Sequence, residues 1–313
     1  MQVINIRQPF DPARIPDGNV VLAMGFFDGL HRGHQAVIER ARNFAKEYGL
    51  PLAVLTYDHH PSIVYHASEQ RITYLSPVQR KLELLDELGV DITYLVSFTS
   101  ALSALKPQEF VDQYMIGFHA KIVVAGFDHT YGPKDIATMA NLPKFAKDRF
   151  KVVEVSENLD DDLKISSTRI RHELDEGNVS LANRLLGYSY QTSGTVVHGE
   201  ARGRELGFPT ANIEWPVEER MPGIGVYAVQ LKIGEIWYDG MASIGYNVTF
   251  GDDRPKTLEI NLFDFKNMIY GENVKVRWVA RLRGEVKYTT AEALIDQLKN
   301  DEIETRKILK INV

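Results

Sequence analysis

The spacing of apolar residues changes abruptly near Gly187. Before that point, short apolar runs alternate with stretches in which apolar residues recur at helical spacing. The strand-like runs are 19–24, 52–57, 92–96, 121–125 and 151–155, and the helical stretches are 33–48, 77–88 (with Ser76 as its N-cap) and 107–114. Apolar strands that alternate with helices predict a parallel sheet covered on both faces. We expect ligands at the carboxyl ends of its strands.

Two short helices predicted at 167–176 and 179–185 close this first half. After Gly187, β-rich runs at 190–197, 226–233, 235–244, 257–262 and 274–282 are separated by turn residues. This pattern predicts an antiparallel sheet or a small barrel. A last helical stretch at 290–308 begins at a threonine that can cap it. The sequence therefore predicts an α/β domain over 1–186 and a β-rich domain over 187–313.

Composition narrows the classes of function. The 313 residues include 36 Lys and Arg, 42 Asp and Glu and no Cys, and the net charge is −6. The absence of Cys excludes thiol nucleophiles, disulfides and iron–sulfur clusters. Net acidity disfavours a dedicated nucleic-acid binder, and no apolar run approaches the roughly 20 residues of a membrane helix. We expect a cytoplasmic monomer or weak homo-oligomer that acts on small molecules, with neither nucleic acid nor a membrane as partner.

The first motif with chemical content follows the first predicted strand and opens a helix. It reads Gly25-Phe26-Phe27-Asp28-Gly29-Leu30-His31-Arg32-Gly33-His34. Residues three apart at a helix start share a face, and a helix N-terminus favours phosphate. His31 and His34 can therefore donate hydrogen bonds to phosphate oxygens. A glycine turn with two surface histidines is the plainer alternative, and a zinc site lacks a third ligand with convincing spacing.

A serine-rich turn, Ile165-Ser166-Ser167-Thr168-Arg169-Ile170-Arg171, opens a later helix. Its hydroxyl groups again suit a phosphate, although a serine N-cap alone is common. Together the two motifs resemble the signature of the nucleotidyltransferase superfamily, whose H-x-G-H histidines hold ATP phosphates. The resemblance implies a Rossmann-like domain in which His31 and His34 are catalytic. It also implies an ATP site made of Gly25, Phe26, Phe27, Asp28, His31, His34, Ser166, Ser167, Thr168 and Arg171.

A glycine-rich string with arginines occupies 194–212 in the second half. Such a loop can wrap a polyphosphate. Thr210 and Asn212 end the string two residues apart, so in an extended segment both point to one side. There they can hold Mg²⁺ beside substrate phosphates. Taken alone, these last residues could equally form a turn closed by an Asx hydrogen bond.

The whole string resembles the riboflavin kinase module, and further matches follow in order at 222–227, 243–245, 249–250, 258–265 and 270–271. Both halves and their order resemble bacterial bifunctional riboflavin kinase/FAD synthetases. The resemblance implies that 187–313 is a small antiparallel β-barrel with a terminal helix. It makes Glu259, a lone carboxylate in an apolar strand, the catalytic base, and makes Asp264 structural. The implied ATP site of the kinase comprises Gly199, Arg202, Gly203, Arg204, Gly207, Thr210 and Asn212, with the last two on the metal.

The resemblance implies two consecutive reactions. The second domain phosphorylates riboflavin to FMN with ATP and Mg²⁺, and the first adenylylates FMN to FAD with release of pyrophosphate. The expected flavin-binding residues of the first domain are Asp58, His60, Asp128 and Tyr131. Two departures affect this site: His129 stands where the family has an aromatic residue, and the basic residues usual after Gly132 are missing.

Two alternatives follow from these departures. One is the same fold with only the FMN-forming activity efficient. The other is a non-enzymatic flavin-binding regulator. The retained catalytic residues argue against the regulator, because a protein that only binds flavin does not need them.

Overall fold

The computed structural model describes residues 1–65, 72–199, 202–246 and 256–310. The chain forms two compact units, Met1–Ser166 and Ser167–Val313. The first is built on an all-parallel six-stranded sheet in the order β1-β4-β3-β2-β5-β6. Its strands are β1 Gln2–Ile6, β2 Val20–Met24, β3 Leu52–Tyr57, β4 Ile92–Val96, β5 Ala120–Gly126 and β6 Lys151–Val155. Every residue of β2, β3 and β4 is buried, which confirms the sheet predicted from the apolar runs.

Helices connect these strands. They are α1 Arg32–Tyr48, α2 Ser62–Tyr65, α3 Val78–Glu87, α4 Ser100–Ser103, α5 Pro107–Phe110 and α6 Leu142–Ala146. α1 buries one apolar face against β2 and β5 and ends at Gly49, whose φ of +64° suits a residue without a side chain. The helix expected over 107–114 is α5 followed by a π-helical segment, Val111–Ile116. A small hairpin, β7 Leu159–Asp160 with β8 Leu163–Lys164, comes near the end of this unit.

The second unit is a closed antiparallel barrel in the order β10-β13-β12-β11-β14-β9. Its strands are β9 Gln191–Val197, β10 Thr210–Glu214, β11 Gly225–Ile233, β12 Ile236–Gly245, β13 Thr257–Leu262 and β14 Asn273–Arg283. Within the described part of this unit, four helices accompany the barrel: α7 Ser167–Asp175, α8 Val179–Leu186, α9 Arg202–Glu205 and α10 Ala291–Leu309. The β-barrel with a terminal helix is therefore confirmed.

α7 and α8 belong to the same compact unit as the barrel and pack with it. On α8, Asn183 donates to the Trp278 carbonyl over 2.8 Å and accepts from the Tyr190 N–H over 2.7 Å. The Gly223 N–H donates to the Leu174 carbonyl at the end of α7. The boundary between the two compact units therefore falls between Ser166 and Ser167 along the chain, whereas the spacing of apolar residues changes later, at Gly187.

Candidate active sites

The loop between β2 and α1 is held in a tight, partly left-handed path. Phe27, Gly29 and Leu30 have φ values of +55°, +78° and +34°. A side chain on Gly25 would place its Cβ 2.7 Å from the Phe27 ring, so a larger residue there would have to displace that buried ring. The path brings the start of α1 close to the end of β2, at the carboxyl edge of the sheet.

Asp28 and Ser76 fix the shape of this loop. Asp28 is 2% exposed, and its carboxylate accepts from the Ser76 N–H at 3.0 Å and the Leu75 N–H at 3.3 Å. The Ser76 hydroxyl oxygen accepts from the Gly29 N–H at 2.7 Å. The prediction that Ser76 caps the following helix is wrong, because Pro77 holds the cap position without a side-chain bond. Asp28 thus supports the loop through backbone amides.

The two histidines lie together at the start of α1. His31 is the N-cap, and its Nδ1 accepts from the His34 N–H at 3.3 Å. The two rings stack with centroids 3.6 Å apart. Gly33 makes room for them, since a Cβ there would lie 3.2 Å from the His31 ring. The expected arrangement of both imidazoles on one face of the helix start is confirmed.

The surroundings of His34 keep its ring neutral. Burial is the main reason that the pKa of His34 lies well below its usual value. Nearby groups that carry or can carry positive charge lower it further: His31, Lys81 and Lys164. The buried Nδ1 of His34 has no hydrogen-bond partner within the described part of the chain. A buried, positively surrounded helix start with an available imidazole nitrogen suits an anionic ligand.

The serine-rich turn begins beside this helix start. The Ile165 carbonyl oxygen lies 3.8 Å from the place that a Cβ on Gly33 would take. Ser166 follows as the last residue of the first compact unit. The other predicted members lie within α7, in the second unit: Ser167, Thr168 and Arg171.

Two of the expected flavin-binding residues follow β3 directly. Burial would raise the pKa of Asp58, but hydrogen bonds from His59 and the Phe98 N–H hold it below its usual value. His60 packs edge-on against the Phe26 ring at 5.0 Å between centroids. The predicted flavin and ATP segments therefore touch at the carboxyl ends of β2 and β3.

The other two follow β5 and differ in exposure. Asp128 is open to solvent and pairs with Lys164 Nζ at 2.5 Å, and that nitrogen also lies 4.7 Å from the Phe127 ring centroid. Tyr131 is 5% exposed and packs in the core near Phe110. The structure does not present the Tyr131 ring as a stacking surface, so its flavin contact stays a prediction.

In the barrel, the predicted catalytic and metal-binding residues converge. Asn212 on β10 pairs directly with Glu259 on β13, which places both side chains on one face. Thr210 lies two residues before Asn212, and its hydroxyl donates to the Glu259 carboxylate at 3.1 Å. Glu259 is 47 and 49 residues from Asn212 and Thr210 in the sequence, but the fold brings the three polar side chains together.

The glycine loop approaches this cluster closely. A Cβ on Gly199 would lie 2.0 Å from the Asn212 side-chain nitrogen, and one on Gly203 would lie 2.3 Å from the Phe208 carbonyl. Gly207 has a φ of +82°, and Arg204 is exposed. The side chain of Arg202 and the family match at 249–250 lie outside the described residues.

Two cavities meet at Thr210. The first holds about 130 Å³ and has largely apolar walls, with Glu259, Ser243 and Arg283 among its polar residues. The second holds about 350 Å³ and is lined in part by Arg204 and Lys266. Both cavities are mostly apolar, but the charged residues that line the second are all cations, whereas the first carries Glu259 and Glu285 beside Arg283. Two such cavities joined at a hydroxyl suit a ring-shaped acceptor in the first and a polyphosphate donor in the second.

Several residues at these sites escaped the sequence analysis. One is His198, which stacks at 3.8 Å between centroids on Tyr270, a residue of the matched stretch 270–271 that lines the second cavity. Lys81 and Lys164 lower the pKa of His34, yet neither lysine belongs to a sequence motif. A lysine on a helix or in a hairpin looks like an ordinary surface residue, so no local signal marks them.

Comparisons with known proteins identify both halves. A family model described as FAD synthetase matches residues 14–169, and one described as riboflavin kinase matches residues 186–309. A bifunctional riboflavin kinase/FMN adenylyltransferase of Listeria monocytogenes is 46% identical over 306 residues, covering 98% of each chain. The chain belongs to the bifunctional riboflavin kinase/FMN adenylyltransferase family. Its Bacillus subtilis relative of the same name is 39% identical over 97% of each chain.

A solved structure agrees with this family fold over nearly the full length. It is a crystal structure described as a macrolide-efflux protein from Streptococcus pneumoniae, 38% identical, with a TM-score of 0.89 and coverage of 98% of this chain and 99% of that one. Among the described residues of this family member, no helix has the length and apolar character needed to cross a membrane. The family resemblance drawn from the motifs is confirmed.

The burial of His129 is expected to make the stability of the protein sensitive to acid. The Nε2 of His129 is buried with no partner among the described residues, and burial lowers its pKa to about 4, with Asp128 opposing the shift. As pH falls below the usual value of about 6.5, the unfolded state takes up this proton and the folded state does not. Stability is therefore lost as the pH drops from about 6.5 towards about 4.

We expect the His129→Phe variant to remove this loss. Between neutral pH and pH 4.5, His129 should lower the free energy of unfolding of the wild type by roughly 2 kcal/mol. The variant lacks this contribution, so its free energy of unfolding should fall by roughly 2 kcal/mol less. Urea unfolding at both pH values, followed by circular dichroism, measures the difference. An equal loss in both proteins would show that His129 does not control the acid response.

Proposed function

We infer that the two halves of the chain divide two consecutive reactions between them, with 1–186 as the adenylyltransferase domain and 187–313 as the kinase domain. The chain is a riboflavin kinase and an FMN adenylyltransferase, with ATP, riboflavin and FMN as substrates. The observation that carries the residue assignment is the hydrogen bond from Thr210 to Glu259 where the two cavities meet.

In the kinase domain, riboflavin occupies the smaller cavity and ATP the larger one, whose charged lining residues are cations. The 5′-hydroxyl of riboflavin attacks the γ-phosphorus of ATP, the bond to the β-phosphate oxygen breaks, and FMN and ADP form. Glu259 accepts the hydroxyl proton, because of the two carboxylates that line the smaller cavity, Glu259 and Glu285, it is the one that accepts from the Thr210 hydroxyl. The glycine loop around Gly199 and Gly203 covers the phosphates.

Thr210 and Asn212 fit a magnesium site. Their oxygen atoms converge beside a carboxylate, and hard oxygen ligands together with substrate phosphates are what Mg²⁺ prefers. When bound there, Mg²⁺ neutralises charge on the transferring phosphoryl group. No group of three or more His, Cys, Asp or Glu side chains in the described ranges could hold a metal, so these two residues act with the nucleotide.

In the adenylyltransferase domain, a phosphate oxygen of FMN attacks the α-phosphorus of a second ATP. The bond between the α-phosphorus and the bridging oxygen breaks, and pyrophosphate leaves. The phosphate of FMN is already a nucleophile, so positioning and charge stabilisation supply the catalysis. We assign these tasks to His31 and His34, with Ser166, Ser167, Thr168 and Arg171 as further ATP ligands and Asp58, His60 and Asp128 near FMN.

We also place the enzyme in the cytoplasm as a monomer or weak homo-oligomer without a nucleic-acid partner. The net charge of −6 supports the last point, because a nucleic-acid binder needs a basic surface. The Cys-free composition is compatible with a reducing compartment.

A time course tests the order of the two reactions. With riboflavin, ATP and Mg²⁺, we expect FMN to rise first and FAD to follow as FMN accumulates. Chromatographic separation of the three flavins measures both steps, and omission of Mg²⁺ should stop FMN formation. FMN that accumulates without FAD would restrict the activity to the kinase, and flavin binding without ATP turnover would favour the regulator.

A further inference from the structure

Lys81 is a buried cation for which the two reactions described above have no use. It lies on α3, is 2% exposed, and donates from Nζ to the Tyr57 carbonyl at 3.1 Å. The described residues provide no carboxylate within ion-pair distance of it. A methionine would fill the same place on α3 without the cost of burying a charge. The presence of a lysine at this buried position therefore suggests that its positive charge has a function.

The position of Lys81 connects the two substrate segments of the first unit. Its Nζ lies 4.1 Å from the centroid of Phe26 in the predicted ATP loop, and Tyr57 ends β3 just before the predicted flavin residue Asp58. Phe26 in turn contacts His60. One ammonium group therefore touches the carboxyl end of β3 and the loop that follows β2.

The same charge acts on the anion site. Lys81 is one of the cations that lower the pKa of His34. The charged groups that face Lys81 are the carboxylates Asp28, after β2, and Asp58, after β3, and the imidazole of His34 on α1. Both carboxylates act on Lys81 from a distance and accept backbone hydrogen bonds, so they offset its charge in part while its ammonium group stays beside the ATP loop.

We propose that Lys81 is a positioning residue of the adenylyltransferase site, which holds Phe26 and the end of β3 in place and adds a fixed positive charge beneath the triphosphate of ATP. This proposal rests on the proposed assignment of His31 and His34 to that triphosphate.

The charge of Lys81 disappears at mildly alkaline pH. Burial lowers its pKa from 10.5 to about 8, against the opposing effect of Asp28 and Asp58. Below about pH 8 the ammonium attracts the triphosphate, and above it this attraction is lost. At limiting ATP, FAD formation should therefore fall as pH rises through about 8, while FMN formation in the same chain should not show this decline.

The test compares Lys81→Met and Lys81→Arg with Lys46→Met, which removes the same charge from an exposed position on α1. For Lys81→Met we expect the KM for ATP in FAD formation to rise about tenfold, the alkaline decline to vanish, and both FMN formation and the melting temperature to be maintained. Lys81→Arg should restore part of the ATP affinity and move the alkaline decline to higher pH. Lys46→Met should match the wild type.

The possible outcomes distinguish a failure of the proposal for Lys81 from a failure of the assignment of His31 and His34 to the triphosphate. If Lys81→Met lowers the melting temperature and both activities in proportion, Lys81 is only structural and the proposal is overturned. An unchanged KM and pH profile in Lys81→Met, beside a loss of FAD formation in His34→Ala, overturns it while the assignment of the ATP site stands. If His34→Ala also leaves FAD formation intact, the assignment itself is wrong. Should Lys81→Met not fold, an unaltered pH profile in Lys81→Arg is the overturning result.

Discussion

The Glu259→Gln variant is expected to lose FMN formation, with kcat lower by roughly 10²–10⁴-fold, the usual contribution of a general base. Gln keeps the size of the side chain and can still accept from the Thr210 hydroxyl, but it cannot take the proton of the riboflavin 5′-hydroxyl. FAD formation from supplied FMN should remain normal, because it takes place in the other half of the chain. Initial rates of both reactions in one preparation measure the contrast.

Asp264→Asn is the matched control. Asp264 lies on the same stretch of chain, but it is largely exposed and pairs with Arg306 of α10 at 3.2 Å. We expect this variant to form FMN at the wild-type rate, as befits a structural carboxylate. A normal FMN yield from Glu259→Gln would remove Glu259 as the base, and a loss in both variants would point to a general effect of charge near the barrel.

The His31→Ala and His34→Ala variants should lower FAD formation by roughly 10²–10³-fold, the effect of losing a donor to transition-state charge. The physical reason is the buried helix start, where neutral imidazoles donate to phosphate oxygens. FMN formation should be spared. Rates of FAD formation from FMN and ATP, with FMN formation from riboflavin as internal reference, give the answer.

His31 also caps α1, so its removal has a second consequence. The loss of an N-cap costs about 1 kcal/mol of stability. His31→Asn keeps a capping side chain and should restore the melting temperature but not FAD formation. If Asn restores both, His31 acts only as a cap. If kinase activity falls equally with the fold intact, the assignment of the two reactions to separate sites is wrong.

The fold followed the sequence wherever periodicity was strong. Strands β2 to β6 of the parallel sheet and strands β9 and β11 to β14 of the barrel were all predicted, because an apolar run or a regular alternation of apolar residues can be recognised from neighbours along the chain. β1, Gln2–Ile6, was missed. Three of its five residues are exposed, and it becomes a strand through parallel pairing with β4, some 90 residues away. β10 was not predicted as a strand either. It contains the polar residues Thr210 and Asn212, and it pairs with β13, which lies far away in the sequence.

The residues of the candidate sites also fall into two groups: those that sequence motifs indicated and those that only tertiary contacts revealed. The motifs with His31, His34, Thr210, Asn212 and Glu259 were evident because their chemistry requires unusual residue types at fixed spacing. Ser76 was predicted as a helix cap, and its bond to the Gly29 N–H was missed because that bond joins two segments far apart in the sequence. Lys81 was missed because its burial comes from Phe26 and Tyr57, neither of which is its neighbour in sequence.

The sequence by itself determined the two modules and their order and gave rise to the proposed phosphate-binding residues, because local periodicity and short motifs depend only on neighbours along the chain. Only the tertiary structure decided that helices α7 and α8 pack with the barrel, that Tyr131 lies in the core, and that one lysine is enclosed between two substrate segments. These features arise from contacts between residues far apart in sequence, and burial and electrostatic fields are properties of such contacts.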